Sequence, residues 1–299
     1  MNASAAATAV PVVQSRRAPG ILGVARRAVK VRRTQVGLGL TGVVLLIALF
    51  GPMVAPHSPS DIVGAPYRGP MAGAVLGTDY LGEDVFSRVL WGGRSVVWMA
   101  VAATTIGMVT GVSLGLAAGY GRRAVDEATM RSLDVLLVFP QIILVLLFVS
   151  LLGSHLWLIV VIVGLGWVPG VARVTRGLTL SIVRQEYVQS CQAIGLPSRQ
   201  ILLGEVLPNI SIPLLVEFGL RLTWSIGVIA AVSFLGFGIQ PPNADWGLMI
   251  NENRNGLVVQ PWGLVAPVLC IAIFTIGTNL CAEGLSTTIS GRDRRGSAA

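Results

Sequence analysis

Apolar residues fall along this chain in long unbroken runs, separated by shorter stretches rich in Gly, Pro and Arg. The runs do not alternate with polar positions, so they do not predict a β-barrel. Each approaches the ~20 residues that carry a helix across a bilayer. They predict spans at Val36–Val54, Ser95–Tyr120, Val135–Leu152, Leu156–Val171, Ile210–Phe237 and Trp262–Leu280. The expected fold is an all-α membrane protein with six transmembrane helices. Only Gly153-Ser-His155 separates the third and fourth spans, which predicts close antiparallel neighbours. Gly107, Gly111, Gly115 and Gly119 recur every fourth residue and predict a smooth ridge for close helix packing.

Composition supports the membrane reading. Hydrophobic residues make up 53% of the chain and charged ones 12%, with mean hydropathy +0.74. Soluble domains carry roughly 25% charged residues. The net charge of +8 raises nucleic acid as a partner, but its distribution argues against one. Arg16, Arg17, Arg26, Arg27, Lys30, Arg32 and Arg33 all precede the first span, as an orientation signal and a contact for lipid headgroups would. With the N-terminus inside, Arg122, Arg123, Arg131, Arg173, Arg176, Arg184, Arg199, Arg292, Arg294 and Arg295 join them on the cytoplasmic side. Only Arg68, Arg88, Arg94 and Arg254 fall outside, so both termini are expected in the cytoplasm.

The resulting organisation is a basic cytoplasmic segment at 1–35, a first helix at 36–56 and an extracytoplasmic loop at 57–94. A five-helix core at 95–290 and a cytoplasmic tail at 291–299 follow. The first apolar run exceeds the ~7–15 residues of a signal-peptide core, so an uncleaved anchor is expected. The uncharged, Ala-rich residues 1–15 are expected to be disordered.

Between the fourth and fifth spans lies a polar island, residues 184–208. Tyr187, Val188, Cys191 and Ile194 have helical spacing and predict one apolar face. Gly195 reads as a left-handed stop, Pro197 forbids continuation, and Ser198 is placed to cap a second short helix. Leu207-Pro208 is expected to end that helix at the membrane. Two readings fit such an element. It is an amphipathic connector on the headgroups, or a docking knob for a cytoplasmic partner.

The island resembles the coupling loop of bacterial ABC importer permeases. Gln189-Ser-Cys, then Gly195-Leu196-Pro197, then Leu207-Pro208, match that loop in spacing. Three further stretches are similar to the second permease subunit of dipeptide, oligopeptide and nickel importers. They are Leu76-Gly-Thr-Asp-Tyr-Leu-Gly-Glu-Asp-Val-Phe-Ser-Arg88, Asp134-Val-Leu-Leu-Val-Phe-Pro140, and Ser233-Phe-Leu-Gly-Phe-Gly-Ile-Gln-Pro-Pro242 with Trp246-Gly247. The resemblance implies a type I importer permease, one half of a heterodimeric pathway for di- or oligopeptides. It also implies a related partner permease, two ATPase subunits that bind ATP and Mg, and an extracytoplasmic binding protein. Tyr187, Gln189, Ser190, Cys191, Gly195, Leu196, Pro197, Leu207 and Pro208 would form the coupling loop. The family's usual acid and small pair stand here as Gln189, Ser190 and Cys191, so docking is expected to rest on shape more than on charge.

The chain carries no Gly-x-x-x-x-Gly-Lys loop to cradle phosphates, and its single lysine, Lys30, precedes the first span. No catalytic residue, cofactor site or metal site is expected in it. A nickel or other small-solute importer permease is the alternative substrate class, and a stand-alone secondary transporter or channel the alternative mechanism. Glu217 and Arg221 are spaced to pair on the fifth span. They either face a cavity or reach the headgroups. Trp224 and Phe234 are candidates for lining the pore or for plain packing. Trp246 and Trp262 are expected in the interfacial aromatic belt. Asp79, Glu83, Asp84 and Arg88 either contact the binding protein or cap and pair locally, the second being favoured, and the three cysteines are expected to pack as small apolar residues.

Overall fold

The computed structural model describes residues 21–296, so the expectations for residues 1–15 and for the end of the tail lie outside the described residues. Eleven α-helices are formed among the described residues. They are α1 (Ile21–Ala28), α2 (Arg32–Val54), α3 (Val85–Tyr120), α4 (Arg123–Leu137), α5 (Gln141–Leu152), α6 (Leu156–Val183), α7 (Glu186–Ala193), α8 (Ser198–Ile201), α9 (Leu207–Phe234), α10 (Trp246–Asn253) and α11 (Trp262–Gly296). The only β-pairing among the described residues is a set of isolated bridges within residues 62–84. Five of the helical segments are long and apolar enough to cross a membrane, and six if the bent pair α4–α5 counts as one.

Several boundaries differ from the sequence expectation. The second span begins at Val85, inside the segment expected to be loop to residue 94, because Asp84 caps the backbone amides of Phe86 and Ser87. The third span is not one helix. α4 and α5 meet at an angle of 75°. Pro140 has no amide hydrogen to donate and disfavours helical geometry at Phe139, so the ladder stops there. The 12 residues of α5 reach only ~18 Å, short of a ~30 Å hydrocarbon core. α4 itself, read from sequence as a connection, is amphipathic. Its Leu133 is buried with Met130 beside it, and its Asp126 and Asp134 pair with Arg176 and Arg173 of α6.

The glycine ridge forms as expected and fits α3 against α6. A Cβ on Gly111 would stand 2.7 Å from Cβ of Val171, and one on Gly119 would stand 2.7 Å from Cβ of Thr179. Neither space nor a flexible chain end is available there. Gly111→Ala is therefore expected to destabilise by about 1–3 kcal/mol through overpacking, which exceeds the ~1 kcal/mol helix-propensity gain. Gly42→Ala in α2, where a Cβ meets nothing within 4 Å, keeps only the gain. Thermal unfolding of the two detergent-solubilised variants should move in opposite directions.

Candidate docking loop and pathway

α7 ends in a complete Schellman turn. Gly195 has φ +80°, its amide donates to the Gln192 carbonyl at 3.0 Å, and the Leu196 amide donates to the Cys191 carbonyl at 3.2 Å. A Cβ on Gly195 would meet nothing within 4 Å, so the requirement at this position is conformational and not steric. Pro197 precedes α8 as the N-cap residue and Ser198 is its first helical residue, with no side-chain cap. The expected cap from Ser198 is absent because Pro197 already sets the helix entry.

The second helix of the island does not end at Pro208. α8 continues through one π-turn, Leu202–Val206, directly into α9. Pro208 can offer no amide, and its ring would crowd the Gly204 carbonyl in a regular α-helix. The wider turn absorbs this, with the Leu207 amide donating to the Leu202 carbonyl. Ser198 to Phe234 is thus a single apolar rod of 37 residues.

The island is held at one end and bare at the other. Val188, Ile201, Val206 and Ile210 are buried in one cluster with Met108, Leu116 and Val171, and Cys191, Leu196 and Leu207 pack against it. The expected apolar face is therefore split. Val188 is fully buried, while Tyr187 is at the surface and Ile194 is 75% exposed. Gln189, Ser190, Gly195, Pro197 and Pro208 are also exposed. The Tyr187 hydroxyl accepts from Nδ2 of Asn209 at 3.3 Å, and burial followed by Glu205 pushes its pKa up. The Nε2 of Gln189 turns back to the Arg184 carbonyl at 3.3 Å.

Glu217 and Arg221 pair as spaced, with Nε of Arg221 2.7 Å from Oε1 of Glu217. The guanidinium also lies 5.3 Å from the ring centre of Trp167 on α6, a cation–π contact. Trp167 donates to Oγ of Ser225 at 2.8 Å, and that hydroxyl meets Oγ1 of Thr104 at 2.9 Å. A polar chain therefore links α9, α6 and α3 across the apolar interior. Sequence reading named the acid–base pair but missed Trp167, Ser225 and Thr104. Leu220 and Trp224 are exposed one turn apart on α9, with Trp224 64% exposed, and Phe234 stands exposed at the end of that helix.

The opposite end of the bundle holds a buried ionic cluster. Arg88 is 2% exposed, pairs with Asp79 and Glu83, and reaches Glu252 of α10 at 2.9 Å. The expected local pairing is present, but it is buried and also joins α3 to a distant helix. The Tyr80 hydroxyl donates to Glu252 at 3.1 Å, and burial together with Glu252 pushes its pKa up to about 12. Trp246 is not interfacial. It is fully buried, its Nε1 donates to the Val89 carbonyl at 2.9 Å, and its ring lies against Gly92 and Gly93 of α3. Those two glycines leave the room that the indole fills.

Burial pushes the Glu83 carboxyl up to about 7 from 4.5, against the opposing pull of Arg88. A carboxyl with a raised folded-state pKa binds its proton more tightly when folded. Its contribution to stability is full below about 4.5 and is lost as pH rises through about 7. The melting temperature is therefore expected to fall by on the order of 5 °C between those limits. Glu83→Gln should flatten that dependence, as differential scanning fluorimetry across the pH series would register.

The family described as binding-protein-dependent transport system inner membrane component matches residues 111–294. The glutathione transport system permease protein GsiD of Pectobacterium atrosepticum is 38% identical over 218 residues, 73% of this chain and 72% of that protein. The dipeptide transport system permease protein DppC of Alkalihalophilus pseudofirmus is 32% identical over 255 residues, 84% of this chain and 83% of that protein. A GsiD of Escherichia coli strain UTI89 is 36% identical over 243 residues, 81% and 80% of the two chains.

Proposed function

We propose a function from a fixed premise: this chain belongs to the family of binding-protein-dependent transport system inner membrane components, multi-pass permease proteins of the ABC importer type I fold. The chain forms one half of a pathway for di- or oligopeptides, beside a related permease. ATP and Mg are held by two ATPase subunits that grip residues 184–208 from the cytoplasm. An extracytoplasmic binding protein delivers the peptide. The names of its relatives, glutathione, dipeptide and peptide permeases, support a small-peptide cargo.

One observation carries the coupling role. The exposed tip of the island around Ile194 is fixed to a buried root, and its second helix continues without a break into α9. Force applied at the tip is transmitted to the helix that bears Glu217, Arg221 and Trp224. A connector lying on headgroups would need no such rigid continuation. ATP drives the change only if it binds the two conformations with different affinity, and closure of the ATPase pair supplies that difference.

Reconstitution with the partner permease, ATPases and binding protein in proteoliposomes tests the reading. ATP-dependent uptake of labelled di- and tripeptides is expected. Uptake of labelled nickel without peptide uptake would replace the cargo, and uptake driven by an ion gradient by this chain alone would replace the mechanism.

A further inference from the structure

A cavity of about 540 Å³ opens at the end of the bundle that carries Trp246, within the ~300–1,000 Å³ usual for small-molecule sites. Its walls include Trp91, Arg94 and Trp98 of α3, Ser154 before α6, and Gln240 and Asn243 of the loop after α9. Positions 91, 94 and 98 fall on one helix face, so an arginine and two tryptophans line the same wall of the cavity. Arg94 is exposed, and among the described residues no carboxylate pairs with it. Asp245, in the chain beside the cavity, is engaged elsewhere. It accepts from Oγ of Ser95 at 3.0 Å and from the amides of Gly247 and Leu248. An unpaired arginine fork suits a carboxylate, and the adjoining indole suits an apolar side chain. The loop that lines the cavity begins just after Phe234, at the end of the proposed pathway helix.

We infer that this cavity receives the C-terminal carboxylate of a small peptide, with Arg94 gripping the carboxylate and Trp98 packing on the last side chain. The inference rests on the peptide-import reading and adds a recognition point on this chain itself. The probes are labelled Ala-Ala-Phe and its C-terminal amide, titrated onto the complete importer in nanodiscs without binding protein. The free acid is expected to bind at least tenfold more tightly than the amide. Arg94→Gln should remove that preference, and Arg94→Lys should restore part of it. Trp98→Ala should weaken acid and amide alike. Equal binding of acid and amide by the native importer, or an unchanged preference in Arg94→Gln, overturns the inference and leaves Arg94 as a residue facing lipid headgroups. The parent reading fails differently. If the native importer with its binding protein takes up no peptide, both fall. If uptake is intact and only the acid preference is missing, this inference alone falls.

Discussion

Replacing Arg88 with methionine is expected to abolish recovery of folded permease. The side chain is 2% exposed and reaches three carboxylates, Asp79, Glu83 and Glu252. Its removal leaves buried negative charges without a counterion, a change that costs about 3–5 kcal/mol. Whole-domain stabilities are only about 5–15 kcal/mol, so a loss of that size removes much of the margin. Arg88→Lys should rescue poorly. The arginine uses Nη1 for Asp79 and Glu83 and Nη2 for Glu252, whereas an ammonium offers one compact charge. Combining Arg88→Met with Asp79→Asn, Glu83→Gln and Glu252→Gln should recover much of the loss, because no charge is then stranded. Size-exclusion recovery and melting temperature in detergent check both points. A methionine variant that melts like the native protein would refute the counterion role. The stake extends beyond the cluster, since Glu252 sits on α10 and the cluster fixes that helix over α3. The same placement seats Trp246 on Gly92 and Gly93 and shapes the wall of the cavity that contains Arg94.

The long spans were legible in the sequence because hydropathy over ~20 residues reports directly on the cost of placing a helix in lipid. The glycine ridge was legible for a similar reason, since a four-residue spacing determines one helix face. What the pattern does not carry is how a helix is interrupted or extended by groups distant in sequence. Pro140 and Pro208 illustrate the limit. Both are prolines next to apolar runs, yet one stops a helix and bends the chain by 75°, while the other is absorbed by a π-turn. The difference depends on whether the preceding turn can widen, which local residue types do not encode. Trp246 was misplaced for a related reason. A tryptophan near a predicted span end is usually interfacial, and the glycines that bury this one lie on another helix, more than 150 positions earlier. Trp167 of α6 and Thr104 of α3 complete the polar chain beside Arg221 from two other helices, so the pair itself could be read from spacing and its setting could not.

Ile194→Asp should eliminate ATP-driven uptake while leaving the permease folded, and Val188→Asp should eliminate both. The two residues lie in one short segment but have opposite surroundings. Val188 is fully buried beneath the island, where a carboxylate would have no water and no partner. Ile194 is 75% exposed beside the Schellman glycine, with its side chain available to the proposed docking partner. An apolar anchor at the centre of such an interface contributes at least about 2 kcal/mol, so the aspartate should weaken ATPase binding by roughly 30-fold. The stoichiometry of co-purified ATPase, the melting temperature and peptide uptake separate the outcomes. Native ATPase retention with native uptake in Ile194→Asp would defeat docking through this face. Gln189→Glu tests whether charge matters as well. Gln189 donates back to the Arg184 carbonyl, so its amide is engaged within the island and not aimed at a partner. A carboxylate there would lose that bond while gaining a charge near the exposed Arg184, and these effects oppose one another. Its effect on ATPase retention is therefore expected to be within about threefold, much smaller than that of Ile194→Asp, because the proposed grip depends on the shape fixed by Gly195 and the root at Val188.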